Sequence, residues 1–142
     1  MSDLKKNKAA VQKLIDDVFN NHDMTKLDAY MRDDYIQHNQ DCPQGKDGFV
    51  EFFKVIFAAV PDFNCTLKKM VAEGDIVMVF SRTRGTHTGE EWLGAKADGA
   101  ALDYDVVDIF RIKDGKIAEH WDVADTFSLF RQLGVIELRM KA

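Results

Sequence analysis

Apolar residues recur along this chain at two spacings, and the changeover happens once. Leu4, Val11, Leu14, Ile15, Val18 and Phe19 are apolar, and from Val11 onward they fall three or four apart, which predicts a helix with one buried stripe over residues 4–20. Asn20-Asn21-His22-Asp23 breaks it, and Thr25 is placed to cap a short second helix through Tyr30. Tyr35–His38 is short and β-prone, and Asp41–Gly45 is a turn or loop. A third helix is expected from Lys46 to Val60, stopping before Pro61. Its apolar residues, among them Phe49, Phe52, Phe53, Ile56 and Phe57, cover most of its circumference, so it must be packed on more than one side. Beyond it the β-prone runs take over: Asn64–Ala72, Ile76–Thr86, Ala101–Lys113 and Lys116–Val123, with a Gly-containing loop over 87–100 and a closing helix or irregular tail over 126–133. Helices first and adjacent strands afterwards predict an α+β domain rather than alternating βαβ units.

Length and composition narrow this picture. The 142 residues fit a single domain, 1–142, and at 46% apolar they can bury a core. A net charge of −5 with both signs interspersed supplies no basic patch, which excludes a nucleic-acid surface. No apolar run has the length of a membrane span, and the polar N-terminus lacks the apolar core of a signal peptide, so a cytoplasmic protein is expected. Cys42 and Cys65 permit one disulfide but the core does not require it. His22, His38, His87 and His120 lack metal-ligand spacing, and no phosphate-binding glycine loop occurs; neither metal nor cofactor is expected.

The candidate chemistry concentrates after residue 100. Asp114-Gly115 is a two-residue hairpin loop that pairs Lys113 with Lys116. Regular pairing then sets Asp108 opposite Trp121, Val106 opposite Val123 and Tyr104 opposite Asp125. One face would carry Tyr104, Val106, Asp108, Phe110, Ile117, Glu119, Trp121, Val123 and Asp125; the other would carry Asp103, Asp105, Val107, Ile109, Arg111, Ala118, His120 and Asp122. The first is the more apolar and is expected inside, where desolvation would raise a carboxylate pKa. A bulge would invert the assignment beyond it. Val107 and Ile109 on the opposite face suit a subunit contact.

Tyr35-Ile-Gln-His-Asn39, Phe57–Asp62, Val71–Asp75, Arg84–Gly89, Asp108–Trp121 and Gln132-Leu-Gly134, in this order, resemble the SnoaL-like polyketide cyclase, or ester cyclase, family of the nuclear transport factor two-like superfamily. The resemblance implies a conical fold, a curved antiparallel sheet wrapped around the N-terminal helices, with a pocket open at one end, and a homodimer. It implies cofactor-independent acid–base catalysis by an Asp at the end of the sheet. Gln-Leu-Gly downstream matches that Asp to Asp125, with Asp122 as the alternative one gap away. Gln37 and Asn39 match substrate-contacting positions; where many members have Pro after His-Asn, this chain has Gln40.

The resulting expectation is a cyclase, isomerase or lyase acting on a hydrophobic carbonyl or polyketide-like compound. Asp125 or Asp122 would be the base, Gln37, His38 or Asn39 would bind the enolate oxygen, and Tyr104, Asp108 and Trp121 would line the pocket. Each residue also has a plainer reading. Asp125 suits a helix cap before Thr126, Asp108 a structural carboxylate, His120 an exposed or interface position, and His38 a core hydrogen bond. Two other functions remain open: a non-catalytic small-ligand carrier, and an epoxide-hydrolase-like enzyme with paired carboxylates.

Overall fold

The computed structural model describes residues 3–141; Met1, Ser2 and Ala142, at the ends of the expected 1–142 domain, lie outside the described residues. Helix α1 (Asp3–Leu14) runs on as a π-helical turn over Ile15–Asn20. Its stripe Val11, Leu14, Ile15 and Val18 is buried. The short helix expected after Thr25 shrinks to one 3₁₀ turn, Leu27–Ala29, and Thr25 donates to Asp23 instead of capping it. Strand β1 (Met31–Gln37), helix α2 (Gly45–Ala59), and strands β2 (Asn64–Glu73), β3 (Ile76–His87), β4 (Ala100–Lys113) and β5 (Lys116–Ala124) follow, then α3 (Thr126–Leu133).

The five strands form one sheet in the order β1-β5-β4-β3-β2. Its long hairpins are antiparallel, but edge strand β1 lies parallel to β5, so the sheet is mixed rather than wholly antiparallel. This α+β architecture is the cone of the nuclear transport factor two-like fold. Phe49, Ile56 and Ala59 of α2 join the buried stripe of α1 and the inward side chains Val77, Val79, Phe110 and Ile117 in one core, but α2 is not covered all round as its apolarity predicted: Val55 is 54% exposed.

The hairpin register departs from its expected course at one point. Lys113 pairs with Lys116 and Ile112 with Ile117, but Arg111 pairs with Glu119. Ala118 is thus an extra residue, a β-bulge, and every later residue of β5 changes sides. Asp108 faces Asp122, not Trp121; Val106 faces Ala124, not Val123. Glu119, Trp121 and Val123 consequently lie on the outer face, and His120 and Asp122 turn inward with Tyr104, Val106 and Asp108. Asp125 falls beyond the strand, its N–H donating to the Asp105 carbonyl.

Candidate functional site

A cavity of about 170 Å³ opens between the concave side of the sheet, α2 and α3. Phe49, Phe52 and Phe53 of α2, Phe19 after α1, Phe63, and Trp92 from the 88–99 loop give it aromatic walls. Its polar end is built by β1, β4 and β5, where Gln37, Asn39, Asp108, His120 and Asp122 meet.

His120 organises that end. It is 6% exposed, and its Nε2 lies 2.8 Å from Asp108 Oδ1 while its Nδ1 lies 2.8 Å from Gln37 Oε1. The Gln37 amide is fixed by its own partners: its Oε1 also accepts the Asn39 N–H, and its Nε2 donates to the Tyr35 hydroxyl. The backbone of Gln37 is clamped in turn by the Gln44 side chain. Both imidazole nitrogens therefore face oxygen acceptors. For each contact to be a hydrogen bond, Nδ1–H donates to Gln37 Oε1 and a proton lies between Nε2 and Asp108 Oδ1.

Asp122 lies across from Asp108 on the next strand. The Asn39 side-chain amide donates to its Oδ2 at 2.9 Å. Burial raises its carboxyl above the ordinary range, the Asn39 hydrogen bond and nearby His120 opposing that rise. Asp108, His120 and Asp122 bring one potential ligand atom each within 4.8 Å of one another, a donor set of metal-binding type. With both His120 nitrogens already facing acceptors, however, the imidazole presents no lone pair to an ion in this arrangement. The geometry fits proton handling better than metal coordination.

The other candidates are distributed as follows. Tyr104 and Asp108 line the cavity with Gln37 and Asn39. Asp125 does not: it is exposed, caps α3 by accepting the Ser128 N–H and hydroxyl, and is held below the ordinary carboxylate range by those hydrogen bonds. The capping interaction wins because the strand has already ended. His38 and Trp121 are also outside, their rings stacked at 4.8 Å on the outer face, with His38 Nε2 2.6 Å from Glu119. The bulge accounts for Trp121. His38 follows the last residue of β1 and takes the side opposite inward Gln37. Residue patterning missed the lining residues Ser81, Thr83, Cys42 and Cys65; inward alternation along β3 with Val77 and Val79 was the available signal for the first two. Both cysteines are free and buried, and burial pushes each thiol up to about 11.

Comparison with known proteins agrees with this architecture. Residues 9–133 match the profile of the SnoaL-like polyketide cyclase family, and the chain belongs to that family. Among solved structures it is similar to TsrD from Streptomyces laurentii: 28% identity, 96% of this chain and 100% of that one covered, TM-score 0.85. It is likewise similar to AclR from Streptomyces galilaeus, provisionally assigned as a hydroxylase, with 25% identity, 97% and 87% coverage, and TM-score 0.85. IdmH from Streptomyces antibioticus, provisionally assigned as a polyketide cyclase, matches at 26% identity with 90% and 98% coverage and TM-score 0.77. No curated protein matches the chain. No described helix is long and apolar enough to cross a membrane.

Proposed function

We propose that this protein is a cofactor-independent lyase or isomerase of the polyketide cyclase type, acting by proton transfer α to a carbonyl of a hydrophobic, ring-containing small molecule. The observation that carries the reading is Asp122. It is a carboxylate desolvated at the polar end of an aromatic-walled cavity, beside a buried imidazole–carboxylate pair. Burial raises its basicity toward that needed to take a carbon-bound proton. Asn39 holds it in place, and release of the Nε2–Asp108 contact as substrate enters would free a donor of the His120–Asp108 pair for the developing enolate oxygen. Aromatic walls bind such a substrate by burial. Asp122 takes the base role that family resemblance divided between it and Asp125.

The test is solvent deuterium exchange at the α-carbon of 2-tetralone, a bicyclic aryl ketone, followed by NMR. Exchange above the buffer rate that falls by about 10²–10⁴ in Asp122→Asn supports the base. Exchange equal to buffer across a panel of such ketones and their ester analogues favours the carrier reading. Chelator treatment is expected to leave exchange unchanged, because the mechanism uses no metal. Asp108 and Asp122 facing each other also suit the epoxide-opening alternative, and hydrolysis of styrene oxide with ¹⁸O uptake from water would reveal it. The commitment of Asp108 Oδ1 to His120 makes this the weaker case.

A homodimer forms through the outer sheet face on this reading. Across the strands run two apolar rows, Val71-Met78-Ile109-Trp121 and Phe80-Val107-Val123. A contiguous apolar surface of this kind is normally covered by a partner.

A further inference from the structure

We infer that Ser81 is a second polar anchor of the cavity, which recognises a hydroxyl or carbonyl oxygen on the ligand at a point remote from Asp122. The inference rests on reading the cavity as a ligand site, and it adds the position of an oxygen substituent to that reading. Ser81 lies on β3, 1% exposed, and its side chain lines the cavity. Its Oγ is buried without a hydrogen-bond partner of acceptable geometry among the described residues. A serine on a core strand, flanked at the inward positions by Val79 and Thr83, could be replaced by an apolar residue at no structural loss. Leaving its hydroxyl desolvated and unpaired costs stability that a bound oxygen would return. The neighbouring thiol of Cys65 is a weak partner at best.

Its place in the sheet gives the spacing. Asp122 pairs with Asp108, while Ser81 pairs with Val106, two residues back along β4. Ser81 is therefore two strands over and one inward step along from Asp122. At ordinary strand spacings that is about 12 Å between backbones, less where the sheet curves. Between them the inward positions are Val79, Val106 and Ala124, which are apolar, and Asp108, whose Oδ1 is bound to His120. A flat ring system laid over these apolar residues would have its reacting carbon at Asp122 and a ring oxygen at Ser81. Among the described residues no lysine or arginine lines the cavity, so the oxygen it suits is neutral.

The probes are 2-naphthol and naphthalene, which differ by one hydroxyl, each titrated by NMR into wild type, Ser81→Ala, Ser81→Cys and Asp122→Asn. In wild type 2-naphthol should bind the tighter. Ser81→Ala should weaken 2-naphthol about three- to tenfold, the scale of one neutral hydrogen bond, and leave naphthalene unchanged or tighter. Ser81→Cys should fall between, and Asp122→Asn should keep the preference. Retained naphthalene binding doubles as the control that Ser81→Ala is folded. Equal losses for both probes, a preference insensitive to Ser81→Ala, a preference lost in Asp122→Asn instead, or failure of 2-naphthol to bind would each overturn the proposal. A water that satisfies Ser81 without any ligand role gives the insensitive outcome. Because the readout is binding, this result is separable from exchange at 2-tetralone: failure of exchange alone rejects the base, not the anchor.

Discussion

Asp122 and Asp125 are three residues apart and titrate in opposite directions. Burial raises Asp122, so folding favours its protonated form. Its contribution to stability is full below the ordinary carboxylate value and is lost as pH rises through the raised one. At neutral pH the ionised group costs stability, and Asp122→Asn, whose side-chain oxygen can still accept from Asn39, should melt higher than wild type there. The gap should close near pH 4, and thermal melts at both pH values check it. Activity should be lost in the same variant, the usual exchange between a strained site and stability. Asp125 is the reverse case. Hydrogen bonds from Ser128 lower it, so its contribution is present above the ordinary carboxylate value and fades as pH falls through the lowered one. Asp125→Ala should lower the melting temperature at neutral pH; Asp125→Asn, which keeps the cap acceptor for the Ser128 N–H but not the charge or the second oxygen, should lower it less. Neither should change exchange at 2-tetralone; a hundredfold loss in Asp125→Asn would return the base role to Asp125.

Element by element, the sequence was readable where periodicity is long and misleading where one residue breaks it. The stripe of α1, helix α2 and the Asp114-Gly115 turn all lie where pattern and turn chemistry put them, because local physics determines each. The bulge at Ala118 has no such signature: small apolar residues sit equally well in regular strands. Everything downstream changed sides in consequence, moving His120 and Asp122 in and Glu119 and Trp121 out. Gln37, Asn39, Tyr104 and Asp108 precede the bulge in register and fall on the cavity as expected. The loop over the cavity also depends on one residue. Gly89 donates to the Ala59 carbonyl, Glu90 to that of Ala58, and His87 Nε2 to that of Glu90. A Cβ on Gly89 would stand 1.8 Å from the Ala58 oxygen. Gly89→Ala is expected to cost about 2–3 kcal/mol, the scale of overpacking, and to release the segment bearing Trp92. A lowered melting temperature and a red-shifted Trp92 emission, measured in a Trp121→Phe background, check this.

At the scale of the whole molecule, the sheet has two chemically distinct faces. The concave one holds the cavity; the convex one carries an apolar band beside an ion-paired ladder in which Arg82 bridges Asp103 and Asp105. Val123, which ends the second apolar row of that band, is 70% exposed in the isolated chain. Val123→Glu should therefore convert a dimer to monomers in light scattering while leaving exchange at 2-tetralone intact, since the residue is turned away from the cavity. A wild type that is already monomeric would remove the dimer from the account.

The extra residue in β5 also governs how this protein could be re-engineered. A combinatorial library that randomises alternate residues from Ile117 would sample the interior once and then spend its diversity on Glu119, Trp121 and Val123, all on the convex side. A library meant to reshape substrate scope must switch parity at Ala118 and continue through His120, Asp122 and Ala124. A single-codon deletion at Ala118 would only straighten the strand, because removing the extra residue leaves His120, Asp122 and Ala124 on the inner side and Glu119, Trp121 and Val123 on the outer.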